Sequence, residues 1–244
     1  EDVLFVQTEN SIYKGKFVFD SRPPKIKKLG AERFHIAQSF FGLNIELKEP
    51  LFNNLAYRMM DFRVPQDEYT QFVYILPFTK NRGLVELTRF GKEILEINKA
   101  EVMLKEYIKN NFGAFKIIEN ERGVIPMDPV LPKQDKKRNW ISIGTRAGNV
   151  KPSTGYAFKN MYNQASFICE SESFQSKKSV RKRRFNFYDQ LLLIILTKWP
   201  SKGRPIFERL FKVQSTTFVL DILDEKSKPF QEFKMFFKLQ IGVF

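Results

Sequence analysis

The sequence predicts an α/β chain: an antiparallel sheet followed by a helical C-terminal region. Three stretches carry that prediction. Residues 72–88, FVYILPFTKNRGLVELT, set two aromatic and β-branched runs on either side of Thr79-Lys80-Asn81-Arg82, a polar break of hairpin-loop length. Between Glu93 and Asn110 the apolar period changes, with Ile97, Leu104, Tyr107 and Ile108 near helical spacing and Gly113 available as a stop. After about residue 185 the chain becomes a series of aromatic and aliphatic pieces of helical character, beginning with Leu191 to Leu196.

The remaining elements follow in order. Residues 3–7 and 16–20 read as short strands separated by the turn signal Glu9-Asn10-Ser11. The second ends in Asp20-Ser21-Arg22 and a proline pair, the pattern of a loop at the carboxyl edge of a sheet. Residues 43–48 alternate, placing Leu43, Ile45 and Leu47 on one face, and YRMMDFRV at 57–64 reads as a strand ended by Pro65. Asp61 and Arg63 share a face of it, as a structural ion pair by preference or as a cofactor-side site. A strand at Phe115–Glu119 leads into ERGVIPM, and the Pro- and Lys-rich residues 128–139 read as an exposed loop. Trp140–Ile143 is a short buried strand, followed by the small-residue turn Gly144–Gly148, then Lys151–Gly155 and a helix to about Ile168. Strand, small-residue turn and helix start present backbone N–H groups to an anion or a polar ring. The final pieces, Phe207–Phe211, Phe218–Leu223 and Phe230–Phe237, read as helical.

Composition narrows the function classes. Of 244 residues 26 are Phe, a usage suited to broad apolar surfaces or cavities as well as to an aromatic core. The net charge of +14 favours anionic partners such as phosphate-bearing cofactors, anionic lipid or nucleic acid. Nucleic acid is not expected, because no aromatic platform or recognition motif accompanies the basic run Arg181-Lys182-Arg183-Arg184. A single cysteine, Cys169, excludes an internal disulfide, and a single histidine, His35, argues against a His-based metal site or a Ser-His-Asp triad. No metal is expected. No apolar run approaches the length of a bilayer span.

One carboxylate stands out. Glu86 lies in the middle of the apolar strand Gly83–Thr88, sharing a face with Leu84 and Thr88, while Val85 and Leu87 point the other way. Strand periodicity allows two readings. On a half-exposed strand Glu86 points to solvent; facing an apolar cavity, it is desolvated, its pKa rises, and it can give a proton to a weakly basic substrate.

The stretch FVYILPFTKNRGLVELT resembles the central signature of the lycopene cyclases, flavoproteins that close the rings of carotenoids. MDFRVPQ (60–66), ERGVIPM (121–127) and IGTRAGNVKPSTGYAF (143–158) extend the resemblance, in the family's order and at its approximate spacing. It implies that Glu86 is the acid–base residue of the cyclisation. Plant members carry two adjacent glutamates there; Glu86-Leu87 follows the bacterial pattern, so the second plant carboxylate has no counterpart here and no role is assigned to it.

The resemblance implies a Rossmann-like FAD-binding domain of the glutathione-reductase/hydroxylase type. Residues 1–30 and 136–165 would be its remaining part, 31–135 a substrate domain and 166–244 a helical region. Asp20, Arg22, Gly144, Thr145, Gly148, Pro152, Ser153, Thr154 and Gly155 would face FAD, although local sequence allows Asp20 merely to close a turn. Arg146 stands where the family more usually has a small residue. Phe72, Tyr74 and Phe78 are expected on the substrate wall. The implied activity is lycopene β-cyclisation, an isomerisation without net redox change, using reduced FAD with NAD(P)H as reductant.

Two rivals belong to other classes: a redox flavoenzyme on the same fold, and a non-catalytic, basic, membrane-associated module. A cytoplasmic, peripherally membrane-bound enzyme is expected, touching lipid through Arg181–Arg184 and the Leu191–Leu196 helix, although a core helix is the first reading of that apolar run. Glu1-Asp2 leads directly into VLFVQ, with no GxGxxG unit before Gly144. The chain is therefore expected to be the remainder of a longer protein, unable by itself to bind FAD tightly or to cyclise lycopene.

Overall fold

The computed structural model describes residues 3–22, 36–128, 139–171 and 182–239. His35, the proline pair at 23–24, the Pro- and Lys-rich stretch 129–138 and Arg181 lie outside the described residues. The class is α/β, as predicted: five strands form one antiparallel sheet, and most of the helix lies in the C-terminal third.

The chain begins with a hairpin, β1 (Leu4–Gln7) and β2 (Ile12–Gly15). The second strand of that hairpin was not anticipated, because Ile12-Tyr13-Lys14-Gly15 is exposed or half-exposed and shows no burial pattern. Next, β3 (Val18–Asp20) pairs in parallel with the distant β9 (Trp140–Ser142).

The central sheet contains β4 (Ile36–Leu47), β5 (Arg58–Asp61), β6 (Thr70–Pro77), β7 (Arg82–Gly91) and β8 (Phe115–Met127), in the order β5-β6-β7-β4-β8. The 72–88 signature is the β6–β7 hairpin. Its loop closes by Phe78 N–H to Arg82 O at 2.8 Å, and Thr79 Oγ1 accepts from Arg82 N–H at 3.0 Å. β8 is longer than the expected Phe115–Glu119. It runs on through ERGVIPM, because β4 offers a partner for its whole length after one bulge at Asn44/Ile45.

Alternation gives the sheet two unlike faces. One is sealed by helix α1 (Ile97–Phe112): Leu43, Ile45, Leu47, Val85 and Leu87 meet Leu104 and Ile108, all nearly inaccessible. α1 ends at Gly113, whose φ of +78° is a conformation that a side chain disfavours. The edge strand β5 is fixed to α1 by charge. Asp61 accepts from Arg58 and Arg63 at 2.7 Å each and from the Tyr107 hydroxyl at 2.6 Å. Burial acts to raise Asp61, but the hydrogen bonds from Arg63, Tyr107 and Arg58 outweigh it and hold the carboxyl well below the usual range. The same burial pushes the Tyr107 phenol up to about 12.

The second face is covered by C-terminal helices. Of these, α3 (Arg183–Lys198) and α4 (Gly203–Val213) lie against it and α6 (Pro229–Leu239) packs on α4, while α2 (Phe158–Glu170) and α5 (Thr216–Leu223) complete the helical region. Leu193 and Leu196 of α3 and Phe207 of α4 pack on Phe62, Phe72 and Phe90 of the sheet side. α4 reaches β6 at a tight point, where Gly203 lies against Thr70 and a Cβ would overlap the Thr70 hydroxyl. Thr70 Oγ1 donates to Pro200 O at 2.7 Å, fixing the same junction.

Candidate functional site

The register of the sheet brings a row of side chains together on the second face: Tyr74 of β6, Glu86 of β7, Gly42 of β4 and Glu121 of β8, each directly opposite the next. The neighbouring row is Phe72, Thr88, Phe40 and Gly123, and the one beyond is Thr70, Phe90, Gln38 and Ile125.

Gly42 is the small element that lets the two carboxylates approach. A Cβ there would lie 3.0 Å from Glu121 Cγ and 3.3 Å from Glu121 Oε1, so the Glu121 side chain leans over Gly42 toward Glu86. In the next row the ring of Phe40 fills the place a side chain on Gly123 would take. Glu86 is half-buried and accepts from the Thr88 hydroxyl at 2.9 Å. Its carboxyl is pushed up to about 7. Burial is the main cause, opposed by the Thr88 hydrogen bond and reinforced by the hydrogen bond and charge of Glu121. Tyr74, opposite Glu86, is raised well above the ordinary phenol value, first by burial and then by the Glu86 charge.

A predominantly apolar cavity of about 290 Å³ lies next to this row, under the C-terminal helices. Tyr74, Phe90 and Gln38 contribute its sheet side; Thr154 and Gly155 its loop side; Leu192 lies on the helical wall. Glu86 is not on that lining. Tyr74 is, and Glu86 sits one strand beyond it. Charge is also buried at the cavity. Lys151 Nζ stands 3.0 Å from Asp189 of α3, and the Ser153 hydroxyl donates to the same carboxylate at 2.5 Å.

Of the expected wall residues, Tyr74 reaches the cavity. Phe72 is fully buried, edge-on to Phe62, Tyr74 and Phe90. Phe78 is 53 % exposed at the tip of the β6–β7 hairpin, outside the cavity lining, because the strand pairing ends at Pro77.

The residues expected to face FAD fall into two groups. Asp20 and Arg22 lie at the end of β3. The carboxylate of Asp20 accepts from Arg22 at 2.9 and 2.7 Å and from Trp140 Nε1 at 3.1 Å, and it pairs with Arg146 Nε at 2.9 Å. These contacts, led by the Arg22 hydrogen bonds, outweigh burial and hold Asp20 well below the usual carboxylate range. Arg146, unusual for its position by resemblance, thus pairs with Asp20 across the β3–β9 junction.

Gly144, Thr145 and Gly148 shape a 3₁₀ turn, Gly144–Ala147, with φ of +61° at Gly144 and +78° at Gly148. The Gly144 N–H is taken by Gln164 of α2 at 3.1 Å and the Gly148 N–H by Thr145 O at 3.0 Å. Pro152 and Ser153 are buried; Thr154 and Gly155 follow, with their N–H groups bonded to Lys151 O at 3.3 and 2.9 Å. These four N–H groups are thus bonded within the chain, and the anion-facing reading gains nothing from them.

A different feature of the segment is a buried polar atom without a partner in the chain. Gly155 (φ +71°) lies against Gln38, where a Cβ would overlap Oε1. Gln38 Oε1 is buried and has no hydrogen-bond partner in the chain. Gly155 thus makes room for Gln38, whose orphan amide oxygen lies near Thr154 beside the cavity. Neither Gln38 nor Glu121 carries a local sequence signal that would single it out. Both are set in place by β4–β8 pairing across positions far apart in the chain.

Of the expected lipid contacts, Lys182 and Arg183 are exposed, whereas others are turned into the fold. Leu193 and Leu196 are core residues against the sheet, as the core-helix reading of the run expects. Arg184 is turned inward, bonded to Glu232 at 3.0 Å and to Ser227 O at 2.9 Å. Among the described residues no helix is long and apolar enough to cross a membrane, and no cluster of His, Cys, Asp and Glu could hold a metal ion.

Known proteins resemble this chain in sequence and in fold. A lycopene cyclase from Paracoccus sp. (strain N81106 / MBIC 01143), "Lycopene beta-cyclase", is 29% identical over 126 residues, 49% of this chain and 32% of that protein. The chloroplastic "Lycopene beta cyclase" of Arabidopsis thaliana is 37% identical over 92 residues, 35% of this chain and 17% of that one. These alignments thus take in a third or less of each relative's length. Among solved structures, a geranylgeranyl bacteriochlorophyll reductase-like protein from Thermoplasma acidophilum superposes with a TM-score of 0.53 at 14% identity. That match covers 93% of this chain and 64% of the other, and shows a shared fold. The family model for lycopene cyclase proteins matches residues 1–239, nearly the whole chain, and the chain belongs to that family.

Proposed function

We propose that the complete protein is a lycopene β-cyclase in which Glu86 supplies and recovers the proton. The observation that carries this reading is a carboxyl pushed up to about 7, half-buried beside Tyr74 and an apolar cavity, in a chain of this family. At neutral pH a substantial share of Glu86 is the neutral acid. Its O–H bond breaks as a C–H bond forms at the terminal double bond of the polyene, leaving a tertiary carbocation. A neighbouring double bond closes the ring onto that cation. The Glu86 carboxylate then takes a ring proton, the new alkene forms, and the acid is restored with no net redox change.

The chain's aromatic wall suits the cation: Tyr74 and Phe90 present π faces and exclude water. FAD belongs to this reading through the family resemblance, with NAD(P)H as the source of its electrons. Gln38, Thr154 and Gly155 would hold the polar edge of its ring. When bound and reduced, the flavin would supply negative charge near the cation.

Glu86→Gln in the complete protein, expressed in lycopene-accumulating cells, tests the assignment. The expected outcome is loss of nearly all cyclic product with the protein still folded. Unchanged yields of cyclic carotenoid would overturn it. A redox flavoenzyme on the same fold would consume NAD(P)H in proportion to product; a cyclase would not.

The same proposal places the enzyme at a cytoplasmic membrane surface, since its hydrocarbon substrate partitions into lipid. The supporting feature is α6. Phe230, Phe233 and Phe237, spaced as one helix face, are each more than 70 % exposed, with Lys234 and Lys238 nearby.

A further inference from the structure

The row Glu86–Gly42–Glu121 contains a second carboxylate that the cyclisation scheme leaves without a task. Its position is specified by three separate features of the fold. Glu86 and Glu121 lie on different strands, both opposite Gly42 of β4, so all three occupy one level of the sheet and one face. Any side chain on β4 at that level would stand between the two carboxyls; Gly42 has none, and Glu121 Cγ and Oε1 close over it. Neither Glu86 nor Glu121 has an ion pair to a cation among the described residues, although this chain carries 41 Lys and Arg against 27 Asp and Glu.

We propose that Glu121 is a positioning residue that shares one proton with Glu86 across Gly42 and so keeps the acid loaded at neutral pH. The inference deepens the cyclase reading and rests on Glu86 being the proton donor. Two carboxylates this close cannot both ionise without mutual repulsion, so the pair retains one proton over a pH range in which a lone carboxyl would lose it. The remaining groups facing Glu86 are neutral near pH 7: the Tyr74 phenol from β6 and the Thr88 hydroxyl from its own strand. Glu121 also acts after proton transfer. When Glu86 has lost its proton to the substrate, two carboxylates lie beside the new cation. Restoring the shared proton relieves their repulsion, which favours return of the proton to Glu86.

Glu121→Gln tests the idea with two readouts. The first is the infrared band of the protonated carboxyl in the purified protein, assigned by its loss in Glu86→Gln and titrated with pH. The second is the pH profile of cyclisation by the complete protein. Removing the Glu121 charge and offering an amide N–H both stabilise ionised Glu86. The band midpoint and the falling limb of activity should therefore move down by about one pH unit or more. At pH 7.5 turnover should drop several-fold, up to about tenfold, and recover on acidification.

Glu121→Lys, which replaces repulsion by attraction, should move both midpoints further in the same direction. Because Glu121 is exposed, these variants should fold; circular dichroism checks it. Midpoints unchanged in folded Gln and Lys variants would overturn the pairing. A band midpoint that moves while Glu86→Gln still cyclises would support the shared proton and overturn the acid assignment instead. An inactive Glu86→Gln with unmoved midpoints in the Glu121 variants would leave the acid assignment standing and remove the pairing.

Discussion

At the residue scale, Glu86, the proposed acid, works against stability at neutral pH. In the unfolded chain it would titrate near 4.5, whereas in the folded chain its value is about 7. The folded state therefore holds more protons between those values, and stability falls as pH rises through that window. Because the side chain is half-buried, the discounted loss above pH 7 is on the order of 1–3 kcal/mol. Glu86→Gln should raise the melting temperature more at pH 8 than at pH 5, while abolishing cyclisation. A gain equal at both pH values would show that the carboxyl is not held neutral. Asp61 is the opposite case. Its pKa is depressed by Arg63, Tyr107 and Arg58, and Asp61→Asn leaves those partners short of a charge. Both arginines are more than half exposed and can rehydrate, so a cost of about 1–3 kcal/mol is expected in urea unfolding.

At the scale of elements, the C-terminal helices roof one face of the sheet and leave an apolar cavity beneath them. α4 approaches β6 at Gly203, and Gly203→Ala would place a methyl group on the Thr70 hydroxyl. Either Thr70 gives up its bond to Pro200 O or α4 moves away from Phe90 and Phe207 loses its packing. Overpacking of this kind costs about 1–3 kcal/mol, read as a lower denaturation midpoint, and should increase hydrogen exchange along β6. α6 makes its own prediction. Phe233→Ser with Phe237→Ser removes two exposed rings from one helix face, and binding to anionic vesicles should weaken several-fold without loss of helical signal. Sedimentation that is unaffected by both changes would remove α6 as the lipid contact.

At the scale of the whole molecule, acid should loosen the fold through two buried carboxylates. Asp20 joins β3 to β9, and Asp61 joins β5 to α1; both are held well below their ordinary values. Each contributes stability that is complete above about pH 4 and is lost as pH falls below it, on the order of 2 kcal/mol apiece. The melting temperature should therefore drop steeply below pH 4, and Asp61→Asn should flatten the drop. The sequence by itself determined most of the central sheet's strands, the α1 helix, the β6–β7 hairpin and the isolation of Glu86 among apolar neighbours, but not β2 or the full length of β8. Each of these rests on local information: alternation that separates Val85 and Leu87 from Glu86, a period change at 93–110, and a polar break at 79–82. Register was not local. Only tertiary pairing decided that ERGVIPM continues β8, that Gly42 stands opposite both Glu86 and Glu121, and that Phe72 is core while Tyr74 reaches the cavity. Only packing turned Arg184 inward and closed Gln38 against Gly155. The physical reason is that alternation assigns a residue to a face, whereas its partners on that face are set by which strands pair and in what register.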